Sequence, residues 1–194
     1  MAMIIGITGT NSSGKDTVAM ILKEVGFESF SCSDAIREEL KKLDFLESRE
    51  NLISLGNELR ETLGMGIWAK KCLRLIIRYA ATKATVSSIR HPAEIEELRK
   101  ASDFVLLAVD APPKLRYIRK QARAREGDLA PYTEFLASES KEMGGVGANQ
   151  QIHKCMGQAD YTIANDGTEE ELKGKVLKVL DAILDKDGIQ TDTS

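Results

Sequence analysis

Nine residues near the N-terminus, Gly9-Thr10-Asn11-Ser12-Ser13-Gly14-Lys15-Asp16-Thr17, have the types and spacing to hold a phosphate chain. Glycines let the backbone curl so that successive N–H groups point into one concavity. If a helix starts there, its unpaired N–H groups and its dipole add to the pull on an anion. Lys15 supplies a mobile positive charge for the outer phosphates. In the pattern G-x-x-x-x-G-K-[ST] the residue after the lysine is a hydroxyl that holds magnesium. Here that residue is Asp16, and the hydroxyl of Thr17 comes one position later. A carboxylate also takes Mg²⁺, directly or through water, so Asp16 and Thr17 are both candidate ligands. Gly9, Asn11, Ser12, Ser13, Gly14, Lys15, Asp16 and Thr17 form the candidate ATP-binding set.

The flanking elements separate such a loop from an ordinary glycine turn. Met3-Ile4-Ile5-Gly6-Ile7 reads as a short buried strand, and residues 15–25 read as a helix closed by Gly26. Residues 27–31 alternate as a second strand, after which Ser33 or Asp34 is expected to cap a helix. The next fifty or so residues are helical in pattern, with Leu52, Leu55, Leu59 and Leu63 on one face. Gly64 and Gly66 interrupt, and a helix over 68–82 carries Leu73, Ile76 and Ile77 as its apolar stripe. Strands are expected over 84–89, 104–109 and 161–164, with helices running through Ile95 and Leu98, after Pro113, at 132–143 and at 169–184. The implied class is α/β: a three-layer fold with a five-stranded parallel sheet and helices on both faces. Ligands of such sheets bind beyond the strands' carboxyl ends. That rule selects the loop, Ser33-Asp34, Ile89-Arg90, Asp110 and residues 165–167.

Composition bounds the function. The 194 residues carry a net charge of −3, 42% apolar and 29% charged residues, which suits one domain over 1–194 and gives no pull toward nucleic acid or membrane. Cys32, Cys72 and Cys155 form no C-x-x-C pair, so neither zinc nor a disulfide framework is expected, and a cytoplasmic setting fits. His91 and His153 are isolated. Both a monomer and a homodimer are compatible with the sequence.

With the loop, Asp34-x-x-Arg37, Arg90 and the arginines at 116–125, the chain resembles the P-loop nucleoside monophosphate kinase superfamily, dephospho-CoA kinase and deoxynucleoside monophosphate kinases included. Residues 33–37 resemble the segment that begins the acceptor-binding helix of adenylate kinases. Residues 89–94 sit where those kinases place the arginine that grips the acceptor phosphate. Residues 159–168 are similar to the dephospho-CoA kinase ending, whose loop lies against the donor adenine, which adds Asn165 and Gly167 to the ATP-binding set. The stretch from Ile89 to Asn165 also resembles the P-loop domain found with some dCMP deaminases, without a zinc-deaminase signature.

The resemblance implies an acceptor-binding helical region over about 34–83, a lid over about 116–148 and a polar tail at 185–194. It implies an enzyme that uses ATP and Mg²⁺ on a small nucleotide. The acceptor is expected to be a nucleoside or deoxynucleoside monophosphate, with dephospho-CoA as the alternative and a nucleotide-binding regulatory module with little turnover as the rival. Lys15, Asp34, Arg119 and Arg123 become the candidate catalytic residues; Asp34, Arg37, Arg60 and Arg90 the candidate acceptor-binding residues. Arg116, Arg119 and Arg123 share a helix face, and a basic face with nothing acidic opposite it suits a lid closing over ATP phosphates. Arg119 joins the ATP-binding set on that ground. Gly144-Gly145-Val146-Gly147 is either the hinge of such a lid or a slack loop.

Overall fold

The computed structural model describes residues 2–101, 103–123 and 130–186. Arg125, part of the expected lid and the tail from 187 onward lie outside the described residues. The elements in order are β1 (Met3–Gly9), α1 (Lys15–Glu24), β2 (Glu28–Ser31), α2 (Cys32–Lys42), α3 (Arg49–Leu63), α4 (Ile67–Arg78) and β3 (Lys83–Ser87). They continue with α5 (Pro92–Ala101), β4 (Asp103–Asp110), α6 (Pro113–Arg123), α7 (Tyr132–Met143), α8 (Ile152–Met156), β5 (Tyr161–Ala164) and α9 (Glu169–Lys186).

The five strands pair in parallel, as the alternation of strands and helices implies, and their order in the sheet is β2-β3-β1-β4-β5. β1 is the central strand, with Ile4 between Ala84 and Phe104 and Gly9 opposite Val109. Successive side chains of β1 alternate between two apolar layers. Ile4 packs with Trp68, Cys72, Ile95 and Leu98 under α4 and α5, whereas Ile5 and Ile7 pack with Val18, Leu22, Leu172 and Val176 under α1 and α9. Burial on both faces explains why β1 and β4 read as nearly unbroken apolar runs. Because every strand runs the same way, the loops after β1, β2, β3, β4 and β5 emerge along one edge.

Several local expectations differ from the structure. Ser31, not Ser33 or Asp34, caps α2: its Oγ accepts the Asp34 N–H at 3.4 Å, and the helix starts directly at Cys32. β3 stops at Ser87 because Ser88 takes φ +62°, which turns the chain out of the sheet before Arg90. Leu63 and Ile77 are 56% and 77% exposed. They lie at the edges of their apolar stripes, and the neighbouring elements do not reach that far round. Trp68 is fully buried and donates from its indole N–H to the Gly56 carbonyl at 3.1 Å, tying α4 to α3. Among the described residues no helix is long and apolar enough to cross a membrane.

Candidate active site

The loop between β1 and α1 needs its glycines. At Gly9, φ is +137° and a Cβ would stand 1.9 Å from the Val109 carbonyl oxygen; at Gly14, φ is +99° and a Cβ would stand 2.2 Å from Asn165 Nδ2. Any side chain at either position forces the loop off β4 or off the β5 edge. Asn165 closes the loop from that side, donating from Nδ2 to the Ser13 carbonyl at 2.8 Å. Thr10 Oγ1 donates to Asp110 Oδ1 at 2.6 Å, which ties the loop to the end of β4. Ser12 Oγ and Ser13 Oγ are buried with no hydrogen-bond partner among the described residues.

Lys15 folds back over this loop, and its ammonium donates to the Gly9 carbonyl at 3.0 Å and to the Thr10 carbonyl. Burial, reinforced by the nearby Arg90 guanidinium, pulls its pKa down to about 7. A group so perturbed in a cleft is a candidate functional residue. Asp16 and Thr17 follow on the first turn of α1 and line the same cleft as Lys15.

That cleft, of about 880 Å³, gathers most of the residues expected from sequence: Asn11, Ser12, Gly14, Lys15, Asp16, Thr17, Asp34, Arg37, Arg90, Arg119 and Arg123. A recess of about 410 Å³ shares Asn11, Arg37, Arg90 and Arg123 with it and extends between α2 and α3 past Ile36, Leu52 and Ile53. Arg37 bridges two carboxylates, with Nη1 on Asp34 at 2.6 Å and Nε on Glu47 at 2.8 Å. Asp34 is exposed, so its carboxylate meets solvent in the cleft despite that pair. Arg119 donates to the backbone and side-chain oxygens of Asn165 at 3.0 and 3.3 Å, which holds its guanidinium beside the loop. Gly167 lies on the other side of Asn165 near the start of α9, where a Cβ would collide with the Glu171 carboxylate.

Two expectations change. Arg116 is buried, and Glu139 of α7 takes both ends of its fork, so the basic face of α6 has an acidic partner there. Arg60 is only 2% exposed. Its Nε and Nη2 donate to Glu94 at 3.1 and 2.9 Å, and its Nη1 donates to Asn57 at 3.1 Å. It walls the recess rather than offering it a free fork.

Glu94 is the residue that the sequence reading missed. Its Oε2 accepts the backbone N–H groups of Arg90 at 2.9 Å and His91 at 3.1 Å, while its Oε1 faces Arg60. The local half of this was readable: Pro92 at the first helical position and a glutamate two residues on form a capping arrangement around His91. The arginine partner, 34 residues away, was not. His91 completes the brace. Its Nδ1 accepts the Ala93 N–H at 3.2 Å, which puts the ring proton on Nε2 for donation to the Gly147 carbonyl at 2.9 Å. Gln151 N–H donates to the Arg90 carbonyl at 2.7 Å and Arg90 Nη1 donates to Gln150 Oε1 at 3.0 Å. The glycine-rich stretch is therefore stitched to Arg90 and His91 and is not slack. Topology alone puts Asp110 at the sheet edge, whereas its bond from Thr10 has no signature in the sequence.

No family model matches the chain. A UPF0200 protein of Pyrococcus horikoshii is 35% identical over 188 residues, covering 94% of this chain and 98% of that one. Among solved structures, the shikimate kinase of Aquifex aeolicus superposes with a TM-score of 0.52 at 16% identity, covering 93% of this chain and 97% of that one. The dephospho-CoA kinase of Campylobacter jejuni gives 0.51 at 16%, covering 93% and 96%. Identities this low show a shared fold, that of the small-molecule P-loop kinases.

Proposed function

The chain belongs to the UPF0200 family, and we propose that it is an ATP-dependent phosphotransferase whose acceptor is a nucleoside or deoxynucleoside monophosphate. One observation carries the reading: the phosphate loop shares a single cleft with Asp34, Arg37 and Arg90. A protein that only senses ATP has no use for a carboxylate and two arginines facing the phosphates from another pair of strands. Phosphoryl transfer uses that arrangement, because it depends on in-line positioning and charge neutralisation more than on covalent chemistry.

In this reading Lys15 and the loop N–H groups hold the donor's outer phosphates, with Asn165 and Gly167 beside the donor base. Asp34 orients the attacking acceptor oxygen, and takes its proton only where that oxygen is a hydroxyl; a phosphate oxygen gripped by two arginines attacks without one. Arg37 and Arg90 grip the acceptor phosphate, since guanidinium forks match phosphate oxygens. Arg119 and Arg123 neutralise charge on the group in flight. Arg60 acts at one remove, holding Glu94 and through it the backbone of Arg90. Magnesium, when bound, neutralises the donor phosphates; Asp16 and Thr17 fit it. Among the described residues no cluster of three or more acidic, cysteine or histidine side chains is set to cage a metal, so phosphate and water oxygens would supply its other ligands. A coupled ADP-release assay over dNMPs, NMPs and dephospho-CoA tests the proposal. Turnover with dephospho-CoA alone reassigns the acceptor, and no turnover with any of them leaves a regulatory module.

Arg90→Ala is expected to cut acceptor-dependent turnover by about 100-fold, a loss of about 2.7 kcal/mol at the transition state, with little change in ATP affinity. Arg90→Lys rescues part of it, since an ammonium makes no bidentate contact. Loss of ATP binding in Arg90→Ala would move the acceptor site elsewhere.

The lowered pKa of Lys15 has its own consequence. Above about pH 7 the free protein holds Lys15 largely neutral, whereas bound phosphate favours its charged form. Binding then takes up a proton, and MgATP affinity should fall by up to about tenfold per pH unit above pH 7. Calorimetry at pH 8 in buffers of different ionisation enthalpy reads that uptake. Lys15→Met should abolish both the uptake and the slope; an unchanged slope in that variant assigns the proton to another group.

A further inference from the structure

Glu142 and Arg49 take no part in the reading above, yet they meet at the same recess. Glu142 stands near the end of α7, only 6% exposed, and its two oxygens address two guanidinium groups. Oε1 accepts from Arg49 Nη2, and Oε2 lies 3.6 Å from Arg90 Nη1. Arg49 opens α3 and Arg90 follows β3, so three separate elements converge on one carboxylate. The carboxylate sits behind the two arginines: both line the 410 Å³ recess and Glu142 does not. Arg49 is 41% exposed, and only its Nη2 has a partner among the described residues. Two like charges brought this close repel unless a buried anion stands between them on one side. With Glu142 on the protein side, their remaining N–H groups are left for the recess.

We propose that Arg49 and Arg90 form one anion subsite, positioned by Glu142, that takes a phosphate monoester group. Ile36, Leu52 and Ile53 line the same recess and give the rest of that ligand an apolar wall. The ligand class is thus a phosphomonoester with a flat or apolar body. The assignment rests on the acceptor reading of Arg90 and adds Arg49 as a binding residue and Glu142 as a positioning residue. Charge alone argues for the opposite effect of Glu142, since deleting a carboxylate should draw an anion in; the brace geometry says that the arginines lose their shared aim instead.

The test is independent of turnover. Inorganic phosphate is titrated into the full chain, and the side-chain Nε–H signals of Arg49 and Arg90 are followed by NMR, assigned with Arg49→Lys and Arg90→Lys. The Gly14 amide reports the phosphate loop separately. The expected result is that both arginine signals move along one binding curve, different from that of Gly14. Arg49→Gln takes away the nearer of the two cations that face Glu142, so the paired variant Arg49→Gln/Glu142→Gln keeps a neutral hydrogen bond there, and it should weaken phosphate at Arg90 about tenfold. Glu142→Gln alone should split the two arginine curves. An Arg49 signal that does not move, or that follows Gly14, overturns the subsite, and tighter phosphate in Glu142→Gln overturns the positioning role. Should no acceptor in the panel be turned over, a shared Arg49–Arg90 curve still establishes the subsite, so the two readings fail separately.

Discussion

Lys15→Ala should lower turnover by at least about a thousandfold, about 4 kcal/mol at the transition state, while the protein stays folded. Lys15 is the cationic side chain carried by the phosphate loop itself, and its ammonium rests on the Gly9 and Thr10 carbonyls within reach of the cleft. Charge that develops on the transferring group needs a preorganised cation, and alanine offers none. The fold should not notice. Lys15 belongs to neither apolar layer, and the clamps from Asn165 to Ser13 and from Thr10 to Asp110 do not pass through it. Removing a cation whose charge is already disfavoured by burial relieves a desolvation cost rather than adding one. Coupled-assay kinetics and a thermal melt on one preparation decide the matter. Near-wild-type turnover would remove the loop from the mechanism, and a large fall in Tm would make Lys15 structural.

The second large effect falls on stability. Glu94→Ala should cost about 3–5 kcal/mol, because it strands the Arg60 guanidinium as a buried charge. For a chain of this size that is a fall of roughly 6–20 °C in Tm. The same change frees the N–H groups of Arg90 and His91, so any protein that still folds should show weakened acceptor kinetics. Glu94→Gln retains the shape and loses the charge, and should fall between the two. Replacing both partners, Arg60→Met with Glu94→Leu, removes the stranded charge and should recover much of the stability while leaving the acceptor defect. A loss below about 1 kcal/mol in Glu94→Ala would mean that water replaces the carboxylate at Arg60.

The parts of this molecule that were legible in its sequence are those with a local physical signature. The glycine-rich loop is one, since its glycines, lysine and flanking elements all lie between Met3 and Glu24. The parallel pairing of the strands followed from alternation, and the edge at which all the strand ends lie followed from the parallel pairing; the order β2-β3-β1-β4-β5 did not. Even Pro92 and Glu94 announce the start of α5. Boundaries were less legible: capping by Ser31 and the turn at Ser88 depend on backbone angles that several nearby residues could have adopted.

By itself, then, the sequence determined a parallel α/β sheet, a glycine-rich strand-to-helix loop and the set of polar residues at one edge, because each depends on residue type and short spacing. Tertiary structure alone decided which charges meet. Helical spacing puts Arg116 on an unopposed basic face, yet Glu139, 23 residues on, holds it. Arg60 was a candidate ligand for the acceptor, yet Glu94 takes its fork. Glu142 reaches Arg49 across 93 residues, and Asn165 reaches Ser13 across 152. A charge carries no address: its partner is set by which helices pack against the sheet, and burial then makes that pairing obligatory because an unpaired ion in the interior is too costly to keep.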